Sequence, residues 1–231
     1  MPSPVVVALD FESQAEALEL VRQLGPESDH YKVGLQLLTE AGPELVRSLI
    51  RQGKHVFLDL KLHEIPDSVA AGVQAAGKLG ASMVTVHASA GSAVLRVAVR
   101  AAAQFPNLKV LALTVITSLS DQDLPEIGLA PSVQQQVQRL ARLAASAGCQ
   151  GVVASVHEAA HLKSILPAGS LIVTPGIQLA RSGATDQARI STPHAAAAAG
   201  VTHIIVGRAI TSAKEPVCAF REAVESFHRD A

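Results

Sequence analysis

Residues 56–68 read VFLDLKLHEIPDS: an apolar run that delivers Asp59, Lys61, His63 and Glu64 before it stops at Pro66. Asp59 and Lys61 stand two apart in an extended segment, so both point to one face. Either charge buried alone would be costly, whereas an ion pair can be tolerated. A second lysine, Lys32, closes another short apolar run in YKVG. A carboxylate between two ammonium groups at about 4 Å and an effective dielectric near 20 gains roughly 4 kcal/mol of Coulomb energy per pair before desolvation. Such an array can hold fixed charge against a reacting centre and deliver a proton. It can also be a structural network that closes a layer of the core.

A second group of residues suits an anion. The segments VTPGIQ and HIIVGRAIT each place a glycine just past an apolar run. Glycines there let backbone N–H groups approach a phosphate, and a helix start adds favourable dipole. Arg208 can supply a bidentate clamp, or it can cap a surface loop. The histidines are weaker candidates. His63 and His87 fall near the same end of the apolar runs, but neither has a neighbour that would make it a general base, and the rest read as incidental. Ser155 lacks a GxSxG context, which argues against a serine hydrolase.

Positioning these groups requires a frame. Apolar, β-branched runs recur at 5–9, 31–33, 55–60, 83–87, 110–115, 151–154, 171–174 and 203–206. Helical patterns follow them at 13–24, 42–52, 66–79, 92–104, 132–146, 157–162, 192–199 and 216–228. Eight strand–helix alternations at roughly thirty-residue spacing predict parallel βαβ units. The near-continuous apolar strands suit a sheet covered on both faces. The expected fold is α/β, a (β/α)8 TIM barrel formed as a single domain over residues 1–231. A doubly wound open sheet is the alternative; it calls for GxGxxG after the first strand, where the chain has ALDFES. In a barrel, Asp10, Lys32, Asp59, Lys61, His87, Thr114, Thr117, Ser155, Gly176, Gly207 and Arg208 all reach the strand C-termini, the face where barrel enzymes do chemistry. The long TSLSDQDLPEIG segment after the fifth strand is a candidate lid or binding loop.

Composition narrows the classes. The chain has 231 residues, 48% of them hydrophobic and 17% charged, enough for a sizeable core. A formal net charge of -1 without basic runs argues against a nucleic-acid surface. Cys149 and Cys218, the only cysteines, form no CxxC and no zinc spacing, and are expected to be buried thiols. The opening MPSPVVVALD lacks a basic segment before a long apolar run, and no stretch reaches transmembrane length, so a cytoplasmic location without membrane contact is expected.

The segments DLKLHEIP, KVGLQLLTEAGP, VTVHASAG, LTVITS, VTPGI, the DQ of ATDQAR, and VGRAI together resemble the orotidine 5'-phosphate decarboxylase family in its short bacterial form. The likeness runs from ALDF to VGRAIT, in the family's order, and DLKLHEIP corresponds to its Asp-x-Lys-x-x-Asp-Ile-Pro fingerprint. The resemblance implies decarboxylation of orotidine 5'-phosphate to UMP, the last step of de novo pyrimidine synthesis, with no metal and no cofactor. It implies that Lys61 protonates the carbanion at pyrimidine carbon six. Asp59 then lies beside the departing carboxylate, Lys32 holds Asp59 and the ribose, and Asp10 accepts from a ribose hydroxyl. Thr117 reads the pyrimidine edge, and Gln187, Gly207 and Arg208 grip the phosphate. It also implies a homodimer in which Glu64 reaches the neighbouring subunit's site.

Two positions depart from the family pattern. Glu64 stands where the family has Asp; its extra methylene displaces the carboxylate by about 1 Å, a shift that can cost roughly 10²-fold in rate. The expectation is that Glu64 keeps its role, the alternative being an acid at a helix start. Gln178 stands where the bacterial form carries a phosphate-binding arginine, so a weaker phosphate grip is expected, with Arg181 as a candidate replacement. The rival functions are a magnesium-dependent sugar-phosphate decarboxylase or aldolase of the same suprafamily, which carries an acid where this chain has Lys32, and a catalytically inactive nucleotide-binding barrel.

Overall fold

A computed structural model describes residues 3–179 and 191–229. Eight parallel strands close into a barrel in chain order: β1 (Val5–Ala8), β2 (His30–Gly34), β3 (His55–Leu62), β4 (Met83–His87), β5 (Lys109–Leu113), β6 (Gly151–Val153), β7 (Leu171–Thr174) and β8 (His203–Val206). β8 returns to β1 through the register Val5↔Ile204, Val6↔Ile205 and Val7↔Val206. The expected (β/α)8 barrel is therefore the fold.

Both faces of the strands are buried, which is why they read as continuous apolar runs. Val5, Val7, Tyr31, Val33 and Leu58 face outward into the layer shared with the helices. Val6, Ala8, Phe57, Met83, Leu111, Leu113, Val153, Val173 and Ile205 fill the barrel interior. Continuing the two-residue period beyond Phe57 points Asp59 inward as well, above this apolar plug. The plug makes the interior a packed core, so chemistry is confined to its upper rim.

The helices form where polar caps meet amphipathic runs. Ser13, Ser132 and Thr192 each accept a backbone N–H from the first turn of the helix that follows, at Gln14–Leu24, Val133–Ala147 and Pro193–Ala198. Two helices depart from expectation. Leu35–Ala41 precedes Pro43–Arg51, with Gly42 at φ 68 separating them. The one-turn helix Arg208–Thr211 follows β8. Both start after a glycine, Gly34 or Gly207, with no side-chain cap, so the usual start signal is absent. β5 ends at Leu113, short of the expected 115, and β3 runs beyond the expected 60 to Leu62. No helix among the described residues is long and apolar enough to cross a membrane. The cysteines differ from expectation: Cys149 is half-buried and Cys218 is exposed, because the latter sits on the side of Pro216–His228 that faces the barrel opening. Burial pushes the Cys149 thiol up to about 12, so it is inert at neutral pH.

Three of the incidental histidines form a cluster at the opposite end, where strands begin. His30 stacks on His55 at a 4.6 Å centroid distance and tilts against His203 at 6.3 Å. Burial, followed by His30 and Lys109, lowers the His203 pKa from 6.5 to about 4. Between those values the unfolded chain binds a proton that the folded chain refuses, so stability rises with pH across the window. Denaturant titrations should show the protein losing stability as pH falls from 6.5 towards 4, and His203→Asn should flatten that dependence.

Candidate active site

The strand C-termini open into a cavity of about 1140 Å³. Its lining includes the charged residues Asp10, Lys32, Asp59 and Lys61, and also Gly176, Gln178, Gly207 and Arg208. Leu113, Val153 and Ile205, from the apolar plug of the barrel interior, also line it. Charged groups, apolar walls and glycine-lined backbone in one cavity can seat a ligand with a reactive group, a flat ring and a phosphate.

The charged group is built around Asp59. Its Oδ2 accepts from Lys61 Nζ at 2.6 Å and lies 3.8 Å from Lys32 Nζ. Its Oδ1 accepts from Thr85 Oγ1 at 2.9 Å. Lys32 Nζ also donates to Asp10 Oδ1 at 2.8 Å. The charges therefore alternate, Asp10, Lys32, Asp59, Lys61, and each acid touches at least one ammonium group. The inner members are covered: the side chains of Lys32 and Asp59 are each 11% exposed, against 39% for Lys61 and 59% for Asp10. Lys61 thus sits where the array meets the open cavity.

Regular strand geometry does not produce this arrangement alone. β3 pairs with β4 at Leu58↔Val84 and again at Leu62↔Val86, so Asp59, Leu60 and Lys61 together oppose the single residue Thr85. This is a bulge, and it re-aims side chains at a barrel rim. Lys61 has φ 49, the one positive value outside glycine among the described residues. A left-handed backbone costs a residue with a Cβ about 1–2 kcal/mol and persists only where its surroundings impose it. The displaced Lys61 N–H donates to Thr85 Oγ1 at 2.8 Å rather than to a neighbouring carbonyl.

The other expected residues divide. Thr117 is buried and lines the cavity, as do Gln178, Gly207 and Arg208. Gly176 has φ 77, and Gln178 N–H donates to Ser191 O at 2.9 Å, which ties the segment after β7 to residue 191. Gln187 and Arg181 lie outside the described residues. Glu64 does not join the Asp59 array; it is exposed, and its Oε1 accepts from Ile65 N–H at 2.7 Å. His63 and His87 stack at 5.1 Å beside the array. Burial, then the neighbouring His63 and Lys61, lowers the His87 pKa, so it stays neutral at neutral pH. Thr85 was not anticipated. Its signal in the sequence is slight, a threonine between two valines in the β4 run.

Residues 3–223 match the profile of the family described as "Orotidine 5'-phosphate decarboxylase / HUMPS family". The chain belongs to this family. An orotidine 5'-phosphate decarboxylase of Laribacter hongkongensis is 48% identical over 216 residues, covering 93% of this chain and 89% of that protein. The enzyme of the same name from Idiomarina loihiensis is 45% identical over 224 residues, covering 96% and 97%. The crystal structure of orotidine 5'-phosphate decarboxylase from Lactobacillus acidophilus superposes with a TM-score of 0.87 at 35% identity, covering 98% of this chain and 99% of that one. Membership in the orotidine 5'-phosphate decarboxylase / HUMPS family accords with the barrel and with an enzyme's site at the strand C-termini. Among the described residues, no group of three or more His, Cys, Asp or Glu could hold a metal ion.

The left-handed backbone at Lys61 has a measurable consequence. Glycine pays no Cβ penalty at positive φ, although it gains entropy in the unfolded chain. Lys61→Gly should therefore be more stable than Lys61→Ala by about 1 kcal/mol in denaturant unfolding. Equal stabilities would mean that the backbone at this position is not strained.

Proposed function

We propose that this protein decarboxylates orotidine 5'-phosphate to UMP, that it needs no metal or cofactor, and that the barrel acts as one domain. The observation that carries the reading is Asp59 held between Lys61 at 2.6 Å and Lys32 at 3.8 Å at the rim of a cavity that also presents Gly207 and Arg208. The apolar walls suit the pyrimidine, with Thr117 on its edge. Gln178, Gly207 and Arg208 take the phosphate, together with Gln187. Asp10 and Lys32 take the ribose hydroxyls. The substrate carboxylate then lies beside Asp59.

Loss of carbon dioxide breaks the bond to carbon six and leaves its electron pair on that carbon. Lys61 gives a proton to the carbanion and becomes a neutral amine, which regains a proton from solvent. Fixed ammonium groups favour the charge as it develops on the ring, without reorganising. Asp59 is pressed against a substrate anion that is lost as the reaction proceeds, so its unfavourable contact is relieved on the way to product. The phosphate grip, remote from carbon six, supplies binding energy that the transition state can use. Gln178 contributes no charge to that grip, which leaves Arg208 as its main cation.

We further propose that the enzyme is a homodimer and that Glu64 serves the partner's site. Glu64 is exposed and outside its own array, and two large apolar side chains just past the C-termini of β2 and β3, Leu35 and Ile65, are 58% and 63% exposed. A second subunit covering them would bring Glu64 to its cavity.

Loss of orotidine 5'-phosphate absorbance in the presence of EDTA tests both parts. Wild type should turn over, and Lys61→Ala should lose about 10³-fold or more. Mixing Lys61→Ala with Glu64→Ala should restore activity, because a hybrid dimer has one site with neither defect. No turnover by wild type would contradict the reading and favour magnesium-dependent sugar-phosphate chemistry or an inactive nucleotide-binding barrel. No recovery on mixing would contradict the shared site.

A further inference from the structure

We infer that Thr85 is a positioning residue for this reaction, one hydroxyl that sets both the orientation of the Asp59 carboxylate and the backbone of Lys61. The inference rests on the decarboxylase reading above. Thr85 is fully buried on β4 and does not line the cavity, so it acts through its neighbours rather than on a ligand. A hydroxyl has one proton to give and lone pairs to receive. Thr85 uses both: Oγ1 donates to Asp59 Oδ1 at 2.9 Å and accepts from Lys61 N–H at 2.8 Å.

Each contact has a distinct effect. Occupying Oδ1 fixes the rotation of the Asp59 carboxylate and leaves Oδ2 to face the Nζ atoms of Lys61 and Lys32. Accepting from Lys61 N–H satisfies the donor that the bulge removes from the β3–β4 ladder. A buried N–H without a partner is costly, so the bulge and the positive φ of Lys61 depend on this acceptor. The residues that oppose Thr85 are the ones that must be aimed. Threonine at this place therefore links the two ends of one proton-donating pair.

Valine has the same shape and neither hydrogen-bonding capacity. In Thr85→Val, Asp59 Oδ1 loses its donor and Lys61 N–H its acceptor, while the cavity wall is unchanged. A displacement of about 1 Å at a reacting group can cost on the order of 10²-fold. The test measures turnover of orotidine 5'-phosphate and affinity for UMP in wild type, Thr85→Val and Thr85→Ser. The expected result is a kcat about 10²-fold lower in Thr85→Val, UMP affinity within a few-fold of wild type, and recovery of most of kcat in Thr85→Ser. A purely structural role would lower kcat and affinity together and would leave the serine variant impaired, which would overturn the inference. So would an undiminished kcat in Thr85→Val while wild type turns over. No turnover in wild type would overturn the decarboxylase reading and this inference with it. If Thr85→Val does not fold, Thr85→Ala removes the same hydroxyl and is read by the same criteria.

Discussion

A carboxylate moved from water into a packed protein loses several kcal/mol of hydration, and it remains charged only if cations and hydrogen bonds replace the water. Asp59 meets this condition with Lys61 and Lys32 on one oxygen and Thr85 on the other. Much of the upper barrel follows from it. The lysines must approach from β2 and β3, the hydroxyl must approach from β4, and the backbone of β3 must bulge to let all three arrive. Strain at Lys61 is offset by the same contacts that hold its neighbour.

The rest of the barrel makes that rim rigid. Phe57, two residues before Asp59 on the same face, packs among Ala8, Met83 and Ile205 and closes the interior beneath the charges. Water therefore reaches the array from above, through the cavity, and Lys61 is the more exposed of its two lysines. The opposite end of the barrel carries the His30, His55 and His203 cluster, far from the cavity along the strands. The division matches the usual one in this architecture: strand C-termini for chemistry, strand N-termini for stability.

The fold was legible because parallel strands buried on both faces leave unmistakable apolar runs, and because their spacing leaves room for a helix each time. Asp59, Lys61 and Lys32 were legible for a related reason: a charge at the end of such a run has few explanations. What escaped notice was local. The helix Leu35–Ala41 starts from Gly34 without a polar cap, so nothing marks its beginning. The bulge in β3 leaves no trace in residue types, since LDLKL reads as well in a regular strand as in a bent one. Thr85 is β-branched and sits comfortably in any strand, and its importance comes from β3 across the ladder. Glu64 is visible in the sequence as a departure by one methylene. Within a single chain it sits outside the array, and the role proposed for it requires a second subunit.

The role proposed for Lys61 is to exchange a proton with pyrimidine carbon six. By microscopic reversibility the same group should remove the carbon-six proton from bound UMP, at the same array and without decarboxylation. The direct measurement is NMR of UMP incubated with the protein in deuterium oxide containing EDTA. That role predicts that wild type replaces the carbon-six proton with deuterium and that Lys61→Ala does not. Exchange that persists undiminished in Lys61→Ala, or no exchange in a wild type that binds UMP, would contradict it.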